Sequence, residues 1–269
     1  MHELSAAQIA YINREKRKNV RIFVSRILIL ILFFAFWELS ADTGLIDSFI
    51  FSSPHRLIQC FFSMLKQQDL LFHIGITLFE TLLSFLLVIF FTLLITILLW
   101  RSKNAAKILE PYLVVLNSLP KSALAPLLIV WLGANYKTII LTGMSVAIFG
   151  SVLSLYTGFV HTDPEKIKQK IKLVRTLGGN RAHILFKVVL PYNIPGLLGI
   201  LKVNIGLCLV GVIIGEFIAA KCGLGYLIIY GSQVFKLDWV ILSILILCVI
   251  ATALYGAIGG IEKFYLKRR

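Results

Sequence analysis

Thr162-Asp-Pro-Glu-Lys-Ile-Lys-Gln-Lys-Ile-Lys-Leu-Val-Arg-Thr-Leu-Gly-Gly-Asn-Arg-Ala-His-Ile-Leu-Phe-Lys-Val-Val-Leu-Pro191 is a basic insert between two long apolar runs. Connections between packed helices usually take about 2–8 residues, so a stretch of about thirty has structure of its own. Asp163, Pro164 and Glu165 read as a helix start: a side-chain cap, a proline in the first turn and an acid near the positive end of the dipole. Ile167, Ile171, Val174 and Leu177 then recur at helical spacing. Gly178-Gly179 stops that helix, and Asn180 caps a second one expected to run to about Val189, before Pro191. Two short helices joined by a glycine elbow, on the basic side of a membrane, predict a docking surface.

The membrane itself follows from composition. Of 269 residues 58% are hydrophobic and 15% charged, with mean hydropathy +0.89; soluble domains carry about a quarter charged residues. The expectation is an all-α, polytopic membrane protein with six spans, each long enough for about 30 Å of hydrocarbon. They are read at Ile22–Leu39, Leu82–Trp100, Tyr112–Ala134, Thr138–Val160, Pro195–Ala220 and Trp239–Ile261. The organisation expected is an N-terminal segment 1–21, an integral domain 22–262 holding the 161–191 loop, and a basic tail 263–269.

The net charge of +14 suggests nucleic acid until its distribution is considered. Five cations lie at Arg14–Arg21, three at Arg101–Lys107, seven at Lys166–Lys187 and four at Lys263–Arg269, so 19 of 27 mark the N-terminus, the even connections and the C-terminus. The positive-inside rule then places both termini and the long loop in the cytoplasm of a multi-pass inner-membrane protein. The basicity reads as topology, with no nucleic-acid partner. No cleavable signal peptide is expected, and the four cysteines lack metal or disulfide spacing.

No residues read as catalytic. The five histidines are scattered, and no phosphate-binding Gly-x-x-x-x-Gly-Lys-Ser/Thr stretch occurs. Pro120 and Pro126 must bend or break the third span, and irregular backbone at membrane depth survives where protein or water satisfies it. Ser118, Pro120 and Pro126 are therefore candidate lining of a path, with Ser145, Thr142 and Asn204 on flanking helices. Glu216, near the outer end of the fifth span, faces either a cavity or partner or the headgroups; Glu80 ends the second span in the same way. Lys121 and Lys202 are expected to snorkel. Gly206, Gly211 and Gly215, with Gly256, Gly259 and Gly260, permit close helix contact.

Gly178, nine further residues and then Val188-Val189-Leu190-Pro191 resemble the "EAA" loop of bacterial ATP-binding-cassette importer permeases. Lys172, Leu173 and Val174 stand where that loop has Glu-Ala-Ala. The resemblance extends over roughly residues 54–262. Pro54 after two serines, Thr77-Leu78, Pro120 through Pro126-Leu127, Gly133, Glu216-Phe217 and Gly223-Leu224-Gly225 look like the nitrate/sulfonate/taurine branch. Glu80 departs from that branch, which often has arginine there, and Ser84 from its glycine.

The resemblance implies a non-catalytic permease subunit, paired with a second copy in the bilayer, that forms the path for a sulfonate, taurine, nitrate or related small solute. Two ATP-binding subunits would hold the ATP and magnesium, none of it bound by this chain, and an extracytoplasmic solute-binding protein would deliver the ligand. Leu177, Gly178, Gly179, Arg181, Leu185, Val188, Leu190 and Pro191 would form the ATPase-coupling loop. The rival readings are a self-sufficient secondary transporter, for which repeats and mid-membrane acids are missing, and an integral membrane enzyme, for which no His/Asp/Glu cluster is evident.

Overall fold

A computed structural model of the chain describes residues 6–67, 69–161 and 164–267. Among these the fold is all helical, with no strand. The expected capping residue Asp163 lies outside the described residues, as do His2 and the last two arginines.

α1 runs Ala6–Asp42, α4 Leu70–Arg101, α7 Tyr136–His161, α10 Leu190–Ala219 and α12 Leu237–Lys267. Each contains a stretch long and apolar enough to cross a membrane. α1 is one continuous helix through residues 21 and 22. The third span is a broken pair, α5 (Lys103–Ser118) and α6 (Lys121–Leu132), bent by 96°. The break falls at Leu119, which is extended (φ −62°, ψ 142°) because the ring of the following Pro120 disfavours helical backbone there. Pro126, expected to break the helix too, stays inside α6, and Pro111 inside α5.

Pro191 does not end a helix either. After α8 (Pro164–Thr176) comes the short α9 (Arg181–Ile184), then a π-helical turn over Leu185–Val189 that leads straight into α10. The second loop helix and the fifth span are one unit, Arg181–Ala219. A proline inside a helix clashes with the carbonyl four residues back and lacks an N–H for it. The widened turn before Pro191 relieves that conflict, so the expected stop at Val189 is replaced by a bulge.

α7 is the centre, packed most extensively on α10 and α4. Ile139, Val146, Ala147, Val152 and Leu155 are buried along it. Close approach is enforced by small residues: a Cβ on Gly211 would lie 2.8 Å from the Gly143 Cα, and one on Gly143 would strike Ser84 and Val212. Gly215 sits close on Ile139, where a Cβ would lie 3.1 Å away, whereas Gly206, Gly256 and Gly260 face open space. Lys202 pairs with Glu262 and so ties α10 to α12.

Three shorter helices that hydropathy alone does not reveal complete the other end. α2 (Ser48–Phe51) and the amphipathic α3 (Pro54–Gln67) follow α1, and α11 (Leu224–Gln233) joins α10 to α12. Leu57 and Met64 of α3 pack with Leu70, Leu224, Leu227, Leu242 and Ile250 in one core.

Candidate functional site

The glycine elbow is built from local bonds. Gly178 takes a left-handed backbone (φ +76°), its N–H reaching the Arg175 carbonyl (3.0 Å) while Gly179 N–H reaches Val174 (2.8 Å). This paired C-terminal cap uses the glycine conformation that a Cβ penalises. Gly179 is needed for another reason: a Cβ there would meet the Val174 carbonyl oxygen at 2.7 Å and its side chain still closer. Asn180 then opens α9, accepting from His183 N–H (3.0 Å) while the His183 ring accepts from Asn180 N–H, a reciprocal capping box.

The loop sorts its apolar residues into two sets. Ile171, Val174, Ile184, Leu185 and Val189 pack against Leu155 and Phe159 of α7 and Leu93, Ile97 and Trp100 of α4. Val188 is buried as well, and Leu190 and Pro191 are half-buried at the start of α10. Leu173, Leu177 and Phe186 point out instead, Leu177 being 77% exposed, with Arg181 exposed beside them. Of the residues expected to form a coupling surface, Leu177, Gly178, Gly179 and Arg181 lie at the turn, while Leu185 and Val188 hold the loop onto the spans.

A second feature is a cleft of about 370 Å³ between the broken span, α7 and α10, with a mainly apolar wall that carries a few polar side chains. Asn117, Lys121, Ser151, Ser154 and Asn204 line it. Ser151 Oγ donates to Asn204 Oδ1 (2.7 Å), holding two polar groups in place deep among apolar helices. The 96° break directs Lys121, the first residue of α6, into the cleft. Of the path residues expected from sequence, the cleft takes Asn204 and lies beside Pro120. Ser118 is exposed and donates to Val114, Ser145 donates to the Thr142 carbonyl, Pro126 is within α6, and Glu216 is elsewhere. Asn117 and Ser151 were missed because each is a single polar residue in an apolar run, without periodicity to single it out.

Glu216 anchors the opposite end of α10. It is 1% exposed, too deep to reach headgroups. The first N–H groups of a helix have no partner within it, and the four at the start of α11 are met by side chains of α4 and α10. Gly223 N–H donates to His73 Nδ1 (2.9 Å), Leu224 N–H to Thr77 Oγ1 (2.8 Å), and those of Gly225 and Tyr226 to the Glu216 carboxyl. Thr77 passes its own hydroxyl hydrogen to Glu216 Oε1 (2.7 Å). Any Cβ on Gly223 or Gly225 would collide with the Glu216 side chain, which explains the Gly-Leu-Gly spacing. Glu80, 3% exposed, lies buried beside the Glu216 carboxyl.

Residues 89–269 match the family described as binding-protein-dependent transport system inner membrane component. Over 223 residues the chain is 30% identical to a "Probable ABC transporter permease protein" of Haemophilus influenzae, covering 82% of this chain and 88% of that one. It is 25% identical over 234 residues to the taurine transport system permease protein of Escherichia coli, 84% and 83% of the two chains. Against the formylaminopyrimidine transport permease protein of Halalkalibacterium halodurans it is 24% identical over 243 residues, 90% and 94%.

Proposed function

Because this chain belongs to the family of binding-protein-dependent transport system inner membrane components, we propose that it couples passage of a small polar solute to ATP hydrolysis on a separate subunit. The observation that carries this reading is the union of elbow and span. A force applied at Leu177 and Arg181 enters one helical unit, Arg181–Ala219, on which Asn204 of the cleft is mounted. Two ATP-binding subunits grip the elbow through Leu173, Leu177 and Phe186. ATP and its magnesium stay with them, and an extracytoplasmic binding protein delivers solute to a pair of these chains. The basic termini and loop face the cytoplasm, following the lysine and arginine asymmetry. Access alternates by rigid-body motion of the two copies.

The solute class is a sulfonate, taurine, nitrate or a related small compound. Lys121 with the side-chain N–H₂ groups of Asn117 and Asn204 supplies one cation and two neutral donor groups, the Ser151 hydroxyl holding Asn204 in place, a set suited to a small anion. The test is the double substitution Leu173→Asp, Leu177→Asp, placed on exposed positions where folding is unaffected. Co-purification of the ATPase subunit is expected to fall at least about tenfold, the cost of two desolvated contacts at roughly 1 kcal/mol or more each, and taurine uptake by proteoliposomes should fall with it. Normal co-purification and uptake would reduce the elbow to a connector.

A further inference from the structure

A second basic feature lies where the elbow meets the spans, and it shares only Arg181 with the docking surface. A cleft of about 490 Å³ is lined by Trp100 and Arg101 at the end of α4, Lys103 and Asn104 at the start of α5, and Arg175 and Arg181 across the elbow. Ile171 and Ile184 form its floor. Four cations from separate elements converge there and no carboxylate lines it; among the described residues, none of the four has an ion-pair partner. Four like charges around one space repel one another, and an anion between them reverses the sign of that interaction.

We propose that this cleft binds the phosphate of an anionic membrane lipid, the glycerophosphate headgroup bridging α4–α5 to the elbow. The proposal rests on the reading of these basic ends as cytoplasmic. Its position is that of the membrane interface: Arg101 closes a span of 32 residues, and Trp100 before it is of the type enriched at headgroup level. Its chemistry suits a phosphate, because the guanidinium fork pairs two oxygens at once and lysine adds a point charge. Its volume is within the range of sites for whole small molecules, about 300–1,000 Å³, roomier than a bare phosphate needs. The apolar floor of Ile171, Ile184 and the half-buried Trp100 accommodates the first carbons of the acyl chains. Basic pockets between spans on the cytoplasmic side are sites where anionic headgroups settle.

The experiment uses the intact complex with its ATPase subunits, purified in the presence of equal phosphatidylglycerol and phosphatidylethanolamine and weighed by native mass spectrometry. Wild type should retain phosphatidylglycerol selectively, and Arg101→Gln with Lys103→Gln should retain about thirtyfold less, from the loss of two basic contacts. The milder Lys103→Gln should fall between them, which guards against a double variant that fails to fold. Equal phosphatidylglycerol in wild type and both variants would overturn the site. Displacement of the lipid by millimolar inorganic phosphate, with equal thermal stabilisation, would instead assign it to a free anion. Loss of the ATPase subunit with lipid retained would assign the cations to the protein partner. Because the readout is lipid mass, a complex that failed to transport would still report on this cleft, and the two readings fail separately.

Discussion

The two ends of the helical unit Arg181–Ala219 are held by opposite means. At the Glu216 end, the bonds that open α11 cross between elements, from backbone N–H groups to the buried Thr77 and Glu216 and the half-buried His73 of α4 and α10. At the elbow end the fixing bonds are local, linking residues three to five apart through backbone and a single capping box. A shape made by local bonds survives displacement of the whole loop, whereas a shape made by cross-element bonds is lost when those elements part. The comparison marks Glu216 as the fixed end and the elbow as a preformed piece able to move as a body.

The strongest way to break the comparison is Glu216→Gln. The amide keeps its oxygen toward the N–H groups of Gly225 and Tyr226 and turns its N–H₂ toward Thr77, whose buried hydroxyl loses its acceptor, at about 1–3 kcal/mol. Losing the charge weakens the remaining bonds too, and a total of about 3 kcal/mol is expected. The purified protein in detergent should melt lower, and amide exchange at residues 223–226 should accelerate about a hundredfold, the factor that this energy implies. Unchanged exchange would show that α11 is held by its Leu224 and Leu227 packing and that the carboxyl is dispensable.

A smaller effect is expected at the elbow, and it should be confined there. Gly179→Val places a Cβ against the Val174 backbone, which cannot yield as a side chain can. Gly178→Val meets open space but a left-handed backbone, costing about 1–2 kcal/mol, and Gly178→Asn costs less because asparagine tolerates that region. Retention of the ATPase subunit should therefore fall in the order Gly179→Val, Gly178→Val, Gly178→Asn, with amide exchange at 223–226 unaltered. A change at 223–226 would mean that the ends of α10 are not independent.

The same contrast explains what the sequence discloses. The elbow was legible because its cap is written in neighbouring residues, Gly178-Gly179-Asn180, and the spans because hydropathy is a local sum. Pro120 announced the break, since the restriction falls on the residue immediately before it. Glu216 was visible as an odd charge, but its partner Thr77 is 139 positions away and nothing local names it. Ser151 and Asn204, 53 apart, are hidden for the same reason. Pro191 misled because proline reads as a stop, and only the π turn, a tertiary accommodation of the helix to the spans, carries the chain through. The amphipathic α3 escaped hydropathy because six of its 14 residues are polar.

The smallest effect sharpens the comparison without altering either end. Cys60 on α3, outside the spans, packs in the cleft with Arg56 and Asp238, which pair at 2.9 Å. Burial pushes its thiol up to about 11, with the Asp238 carboxylate adding to the rise and Arg56 and Lys236 opposing it. A raised thiol value means that the reactive thiolate is scarce at neutral pH and gains about tenfold per pH unit until that value is reached. Between pH 7.5 and 9.5 maleimide labelling of Cys60, followed by peptide mass spectrometry, should therefore rise about a hundredfold. A cysteine introduced at the exposed Gln233, titrating near 8.5, should rise about tenfold over that interval and then level off. Asp238→Asn removes the anion and frees Arg56, two changes of one sign, so the Cys60 curve should move to lower pH. If Cys60 instead follows the exposed cysteine, α3 is loosely seated and the Glu216 end is less fixed than its hydrogen bonds imply. A retained shift would extend the rigid end from α11 through α12 to α3.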